Sequence, residues 1–136
     1  MIQITFYIQP YRTLLKSTRM KIQQLQYLDK AWKICLHSDG FDRMQCQLVL
    51  AFGQASLITE TSVFNHLERS YPEACILLCS TEDTIMFEDI VVVTAVELKN
   101  TSILCAETSI NDHKSNFDAG KYLIQQLQPK ETASVC

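Results

Sequence analysis

Gln-Leu-Val-Leu-Ala-Phe, residues 47–52, is an apolar run with the length and composition of a strand that is covered on both faces. It stops at Gly53. A second run, Ala-Cys-Ile-Leu-Leu-Cys at residues 74–79, stops as abruptly at Ser80. Between them, apolar residues at helical spacing predict a helix near residues 60–71. A strand, a helix and a second buried strand form a right-handed βαβ unit, so we expect parallel strands that end at the same edge of one sheet.

The segments around this unit predict a mixed sheet. Residues 20–28 partly alternate polar and apolar and predict a strand, whereas residues 29–44 contain Ser-Asp-Gly turn chemistry and predict a loop with one short element. Residues 90–96 are β-branched and predict a further strand, from which residues 101–110 should return as an antiparallel hairpin. Ser115 has capping-box spacing to the acid three residues later and predicts a C-terminal helix. The expected fold class is α/β, a mixed sheet with a central parallel βαβ unit, an antiparallel hairpin and a C-terminal helix.

Length, composition and charge limit the class of protein. The 136 residues are enough for one domain, and 47% hydrophobic with 20% charged residues is ordinary for a globular protein. A net charge of -3 favours neither nucleic acid nor an anionic membrane as a partner. Residues 1–19 contain basic residues but no acid and no long apolar run, so we predict a flexible or mis-started extension without a secretory signal. The domain is expected at residues 20–128, with a frayed tail at residues 129–136, in a cytoplasmic protein.

Six cysteines and three histidines raise the question of a disulfide framework or a metal site. Without a secretory signal, we expect the thiols to be reduced and buried. Cys75 and Cys79 would lie about 13 Å apart in a strand, too far to share one ion or one disulfide. His37, His66 and His113 fall in different predicted elements. The sequence therefore predicts no metal and no cofactor.

Polar residues follow both apolar strands, at the edge where open parallel α/β sheets bind their ligands. Carboxylates there would favour an amine or a cation, whereas free amides and hydroxyls would favour a carboxylate. A small polar ligand such as an amino acid would satisfy both. An alternative that the sequence leaves open is that these residues only cap the strands and turn the chain. The predicted ligand-binding residues are Phe52, Gly53, Gln54, Ser56, Cys79, Ser80, Thr81, Glu82 and Asp83.

The second strand end also carries a family resemblance. Leu78-Cys79-Ser80-Thr81, followed by Ile85, resembles the Gly-Cys-Ser-Thr-x-Gly-x-Ile signature of the N-terminal half of the FIST domain. In the same order along the chain, residues 48–53 are similar to that family's apolar strand ending in Phe, and residues 90–96 to its next valine-rich strand. Asp118-Ala119-Gly120-Lys121 is similar to the family's late Asp-x-Gly-Arg or Lys helix.

The resemblance spans residues 20–128 and implies a sensory module of bacterial signalling and eukaryotic F-box proteins that binds small ligands such as amino acids. This chain departs from the pattern at Leu78, where the family has glycine, and at Glu82 and Asp83, which replace small residues. Those carboxylates would change the charge that the site prefers. Family members usually continue into a FIST C-terminal half, so we expect that half or a signalling protein as a partner.

Three functions can be considered from the sequence. Small-ligand sensing in signal transduction, without catalysis, agrees best with the strand ends and the resemblance. A scaffold that only docks onto other proteins would need no ligand. A hydrolase would use Cys79 or Ser80 as nucleophile, but Leu78 and Glu82 crowd Ser80, and no histidine is predicted beside Cys79. The sequence therefore predicts a protein that is not an enzyme.

Overall fold

The described part of the chain forms a five-stranded mixed sheet and a two-stranded sheet. The computed structural model describes the backbone of residues 2–10 together with residues 20–81 and 89–128. The chain divides into two units, one of residues 10–102 and one of residues 1–9 with 103–136. In chain order the elements are β1 (Ile2–Pro10), β2 (Lys21–Leu28), β3 (Ala31–His37), β4 (Leu48–Gly53), α1 (Ala55–Ile58), α2 (Thr61–Ser70), β5 (Cys75–Ser80), β6 (Ile90–Glu97), β7 (Thr101–Ser109) and α3 (Asn116–Leu127).

The larger sheet has the strand order β3-β2-β6-β4-β5 and belongs to the larger unit. Strands β4 and β5 are parallel and the other neighbours are antiparallel. This confirms the α/β class and the parallel βαβ unit, because α1 and α2 connect β4 to β5. Strand β5 is at the sheet edge rather than doubly buried as its sequence predicted, and Cys79 and Ser80 at its end are exposed.

Residues 31–37 form a strand, β3, where the sequence predicted a loop. A two-residue turn joins β2 to β3, because Leu28 pairs directly with Ala31. Asp29 and Lys30 in this turn both have positive φ, 51° and 61°, as the two-residue turns preferred by hairpins require. Glycine usually occupies such positions, and its absence hid the hairpin. All but one of the β3 residues are also exposed, so the strand lacks a buried alternation.

One face of the sheet, called here the helix face, packs against α1 and α2. Every second residue of the central strands points to this face, including Val49, Ala51 and Val93. From the helices, Val63 and Leu67 are buried against them at i and i+4. Burial of such side chains contributes roughly 1.5–3 kcal/mol each, which fixes α2 on the sheet beside the ends of β4 and β5.

A buried polar chain crosses this core. Tyr71 and Gln23 are each 1% exposed, and the Tyr71 hydroxyl donates a hydrogen bond of 2.6 Å to Gln23 Oε1. Gln23 Nε2 in turn lies 2.9 Å from His37 Nδ1. Burial raises the pKa of Tyr71 to about 12, so the neutral phenol persists through the physiological range. The three residues tie β2, β3 and the end of α2 together.

The smaller unit contains the two-stranded sheet of β1 and β7 and the helix α3. The predicted hairpin of residues 90–110 is wrong, since both edges of β6 are taken by β2 and β4 and β7 pairs with β1. The predicted helix start at Ser115 is confirmed, because Ser115 Oγ accepts from the Asp118 amide at 3.2 Å and donates to Asp118 Oδ2 at 2.9 Å. Strand β1 lies inside the segment 1–19, for which the sequence predicted an extension.

The cysteines differ from the expectation of reduced, buried thiols. Cys46 is free and buried, whereas Cys35 and Cys79 are free and exposed. Cys75 and Cys105 each take part in a disulfide, which corrects the expectation of reduced thiols for these two residues. Within the described residues, none of the helices has both the length and the apolarity needed to cross a membrane.

An ion pair closes the far end of β6 against the loop before β4. Lys21 and Glu97 are cross-strand neighbours, with Lys21 Nζ 2.9 Å from Glu97 Oε1. The Asp42 amide donates to Glu97 Oε2 at 2.8 Å. Burial alone would raise the pKa of Glu97, but the Asp42 amide and Lys21 outweigh it and leave that pKa lowered. The folded state therefore favours the carboxylate.

We expect Glu97→Gln to lower the free energy of unfolding at pH 7 by on the order of 1 kcal/mol, because it removes a charge-assisted bond. A carboxyl group with a lowered pKa stabilises the fold at pH values above its unfolded-state pKa. This stabilisation is lost as the pH falls through the folded-state pKa. The difference between wild type and variant should therefore shrink as pH falls below 4.5, the ordinary pKa. Urea titrations at several pH values measure it. Glu68→Gln, an exposed change on α2, is the control, and an equal pH response in both variants would contradict the assignment.

Candidate functional site

The carboxyl ends of β4 and β5 lie side by side, as the sequence predicted. Phe52 pairs with Cys79, and Gly53 pairs with Ser80. The parallel pairing continues one residue further, because the Thr81 amide donates to the Gly53 carbonyl at 2.9 Å. Five predicted site residues therefore meet at one edge of the sheet.

Their side chains do not converge on one ligand volume. Neighbouring residues of a strand point to opposite faces, so Phe52 and Cys79 lie on one face and Ser80 on the other. Ser80 shares the helix face with Gly53, which has no side chain to contribute. The sequence prediction placed all of them in a single site, and the alternation of the strands divides that site in two.

On the helix face, a cavity of about 400 Å³ opens between the end of β5 and the junction of α1 and α2. Ser80 lines it together with Leu78, the residue that stands where the family signature has glycine. The helices contribute two hydroxyl residues, Thr59 and Thr61, which the sequence analysis did not select. The Thr59 hydroxyl donates to the Ala55 carbonyl at 2.6 Å, so it has its oxygen available as an acceptor. We call this the helix-face cavity.

Ile58 and Phe64 complete the wall of the helix-face cavity, and they show what could have revealed it. Ile58 is 2% exposed, whereas Phe64 is 38% exposed although it belongs to the apolar pattern of α2. A helix that follows a parallel strand covers the end of that strand, so the residues of its first turn become candidates for the same site. Their identity follows from the topology and not from any local motif.

On the opposite face, a smaller cavity of about 230 Å³ lies beside Phe52, Gly53 and Thr81. Ile90 and Val92 of β6 form its other wall. The lining is apolar except for the Thr81 hydroxyl and backbone groups, so this cavity suits an apolar group rather than a charged one. We call it the opposite-face cavity.

The fold needs glycine at position 53 for a reason that the sequence did not reveal. A Cβ atom at Gly53 would lie 2.9 Å from Val91 Cγ2, 3.0 Å from the Ile90 carbonyl oxygen and 3.2 Å from Val91 Cα. The close approach that glycine permits is thus between β4 and β6. Gly53 also lines the opposite-face cavity, so its role in ligand binding stays a prediction.

The remaining predicted residues lie away from both cavities or outside the described chain. Gln54 and Ser56 are exposed and line neither cavity. Cys79 is exposed and pairs with Phe52 without lining a described cavity. Glu82 and Asp83 fall outside the described residues.

The three histidines have partners elsewhere in the structure. His37 contacts Gln23, His66 stacks on Trp32 with ring centroids 4.4 Å apart, and His113 Nε2 lies 2.7 Å from Thr108 Oγ1. Over the described ranges, no group of three His, Cys, Asp or Glu side chains is arranged to hold a metal ion. The described strand ends therefore offer hydroxyl and backbone groups for binding.

Comparison with known proteins identifies one family. The family model described as FIST N domain matches residues 47–136, more than half of the chain. This range contains β4, β5 and both strand-end cavities, and it begins after the β2–β3 hairpin. Neither the curated proteins nor the solved structures contain a significant match.

Proposed function

Because this chain belongs to the FIST N domain family, whose members are sensory domains of signal transduction, we propose that it is a small-ligand sensing module. The ligand class is amino acids and similar small polar molecules. Binding shifts a conformational or assembly equilibrium, so the protein signals without turning its ligand over. The ligand enters at the carboxyl ends of β4 and β5.

One observation supports this location above the others. The helix-face cavity lies at the carboxyl end of the parallel pair and brings Ser80 together with Thr59 and Thr61. The Ser80 and Thr61 hydroxyls can donate to a ligand carboxylate. The Thr59 hydroxyl, which already donates to the Ala55 carbonyl, can accept from a ligand amine. The three groups therefore suit a zwitterion without a fixed charge on the protein. Leu78 and Phe64 give the same cavity an apolar wall for a ligand side chain.

The absence of catalysis is part of the proposal. A nucleophile needs a base within about 3 Å, and Ser80 and Cys79 point to opposite faces of β5. His66, on the same helix that borders the helix-face cavity, lines a different cavity against Trp32. These placements support binding rather than nucleophilic chemistry.

A partner protein completes the proposal, either a FIST C-terminal half or a signalling protein. Among the described residues, β3 is one of the two edge strands of the larger sheet, and Ile34 and Leu36 on it are 50% and 48% exposed. An exposed apolar edge strand can accept a strand from another chain. The same edge supports the second candidate function, a scaffold that docks onto partners without a ligand.

Thermal unfolding in the presence of each amino acid and of small carboxylates tests the sensing function. A ligand that binds only the folded state stabilises it by about 2.7 kcal/mol at one hundred times its Kd. We expect at least one such ligand. Ser80→Ala should abolish its shift, whereas Thr81→Val, which changes the opposite-face cavity, should leave most of it.

Ser56→Ala is the matched control, because Ser56 is an exposed hydroxyl near the same strand end that lines neither cavity. Its shift should equal that of wild type. A flat screen with folded protein would reject ligand sensing in favour of the scaffold. A shift lost in Thr81→Val but kept in Ser80→Ala would move the ligand to the opposite-face cavity.

A further inference from the structure

A third cavity lies on the larger unit between the β2–β3 hairpin and the outer side of α2. Its volume is about 370 Å³. The hairpin contributes Tyr27, Lys30 and Trp32, which all precede the segment that the family model matches. Neither the family match nor the proposed function assigns a role to this place, and we call it the hairpin cavity.

The helix side of the hairpin cavity is a regular stripe of polar residues. Ser62, Asn65, His66 and Arg69 of α2 follow one another at i, i+3, i+4 and i+7, so they lie on one side of the helix. Thr61 and Phe64 of the same helix line the helix-face cavity instead. Helix α2 thus presents different residues to two separate cavities.

Aromatic rings join the two sides of the hairpin cavity. The Trp32 and His66 rings are stacked at 4.4 Å between centroids and 10° between planes. The Tyr27 ring lies 4.9 Å from Trp32 at 42°. Cross-strand pairing of Tyr27 with Trp32 places both rings on the helix face. The packed rings of Tyr27, Trp32 and His66 therefore form one wall of the hairpin cavity.

The charged residues that line the hairpin cavity are cations only. Lys30 and Arg69 contribute one positive charge each, and no carboxylate is among the lining residues. Outside the lining, Glu60 Oε2 accepts from Ser62 Oγ at 3.2 Å. Burial, followed by the nearby Arg43 charge, lowers the pKa of His66. At neutral pH His66 is therefore an uncharged ring whose nitrogens can accept or donate a hydrogen bond.

We propose that the hairpin cavity binds a small organic anion, a phosphate monoester or a carboxylate attached to a flat apolar body. Arg69 and Lys30 hold the anionic group, since guanidinium pairs with carboxylate and phosphate oxygens through two parallel hydrogen bonds. The Asn65 amide adds a neutral donor. Trp32 and Tyr27 contact the apolar body of the ligand. This site does not depend on the sensing function proposed for the strand ends.

Fluorescence offers a direct test, because Trp32 is the single tryptophan of the chain. The full chain is titrated at low salt with phenyl phosphate and with benzoate, which share a ring and differ in the anionic group. Inorganic phosphate lacks the ring, and benzyl alcohol lacks the charge. We expect a saturable change in Trp32 emission with at least one ring-bearing anion, and binding at least about tenfold weaker for the two incomplete probes. Tighter binding of phenyl phosphate would assign the site to phosphate monoesters, and tighter binding of benzoate to carboxylates.

Arg69→Gln should weaken the tighter probe by about tenfold or more, and Lys30→Gln should act in the same direction. Lys33→Gln is the control with the same change in net charge, because Lys33 is exposed on β3 and does not line the hairpin cavity. The affinity of Lys33→Gln for the probe should stay within about twofold of wild type. Added salt should weaken binding of the probe to wild type and to every variant. No saturable change with any probe, or equal losses in Arg69→Gln and Lys33→Gln, would overturn the proposal.

Discussion

Gly53→Ala is expected to lower the free energy of unfolding by about 1–3 kcal/mol, the usual range for forcing an extra carbon into a packed interior. The added methyl group would meet the Ile90 carbonyl oxygen at 3.0 Å and Val91 Cα at 3.2 Å, and both belong to backbone that the sheet holds in place. Rotation of the Val91 side chain relieves only the 2.9 Å contact with its Cγ2. Strands β4 and β6 must therefore separate at the strand end.

Gly120→Ala is the matched control for this prediction. Apart from the backbone of its own helix, a Cβ at Gly120, within α3, would meet no atom of the described residues within 4 Å. Alanine has a better helix propensity than glycine, so this change should be neutral or stabilising by up to about 1 kcal/mol. Urea unfolding followed by circular dichroism measures both variants. Equal stability of wild type and Gly53→Ala would show that β4 and β6 do not need their close approach.

Tyr71→Phe should also cost about 1–3 kcal/mol, because it leaves the buried Gln23 carbonyl without its donor. The bond that is lost is 2.6 Å long, and both side chains are 1% exposed. Gln23→Leu should destabilise for the reciprocal reason. The double variant should lose less than the sum of the two single changes, since it removes both polar groups together. Additive losses would mean that the two groups do not depend on each other.

Alkaline pH tests whether the fold favours the protonated Tyr71 phenol. Because burial raises the pKa of Tyr71 to about 12 from an ordinary 10.0, the fold favours the protonated phenol. A phenol with a raised pKa stabilises the fold at pH values below its unfolded-state pKa. This stabilisation is lost as the pH rises through the folded-state pKa. The stability difference between wild type and Tyr71→Phe should therefore fall by on the order of 2 kcal/mol between pH 10 and pH 12. A pH-independent difference would show that the fold does not favour the protonated phenol.

The sequence predicted those parts of the fold whose signals are local. Each of these signals is contained in a short stretch of sequence. Four of them are confirmed: the apolar runs of β4 and β5, the helical spacing of α2 and the Ser115 cap of α3. Strand β3 was missed because its turn uses Asp29 and Lys30 at positive φ without a glycine. The partner of β7 was also missed, because pairing between distant segments leaves no local pattern.

The sequence predicted where the candidate site lies but not which side chains share a cavity there. Parallel pairing brings the strand ends together, and Phe52 opposite Cys79 confirms it. Which side chains share a cavity depends on the face to which each residue points and on what covers that face. Thr59 and Thr61 enter the helix-face cavity only because α1 and α2 fold back over β5. No spacing rule in the sequence connects these residues to Ser80.

The alternation along the paired strand ends also has a meaning for how this protein can change over generations. Ser80 and Thr81 are adjacent in the chain, yet each borders a cavity that the other does not. A single substitution at Ser80 can therefore change the lining of the helix-face cavity and leave the side chains of the opposite-face cavity unchanged. A substitution at Thr81 can do the reverse. Two neighbouring codons can therefore vary separately, whereas the codon for Gly53 is constrained by the close approach of β6.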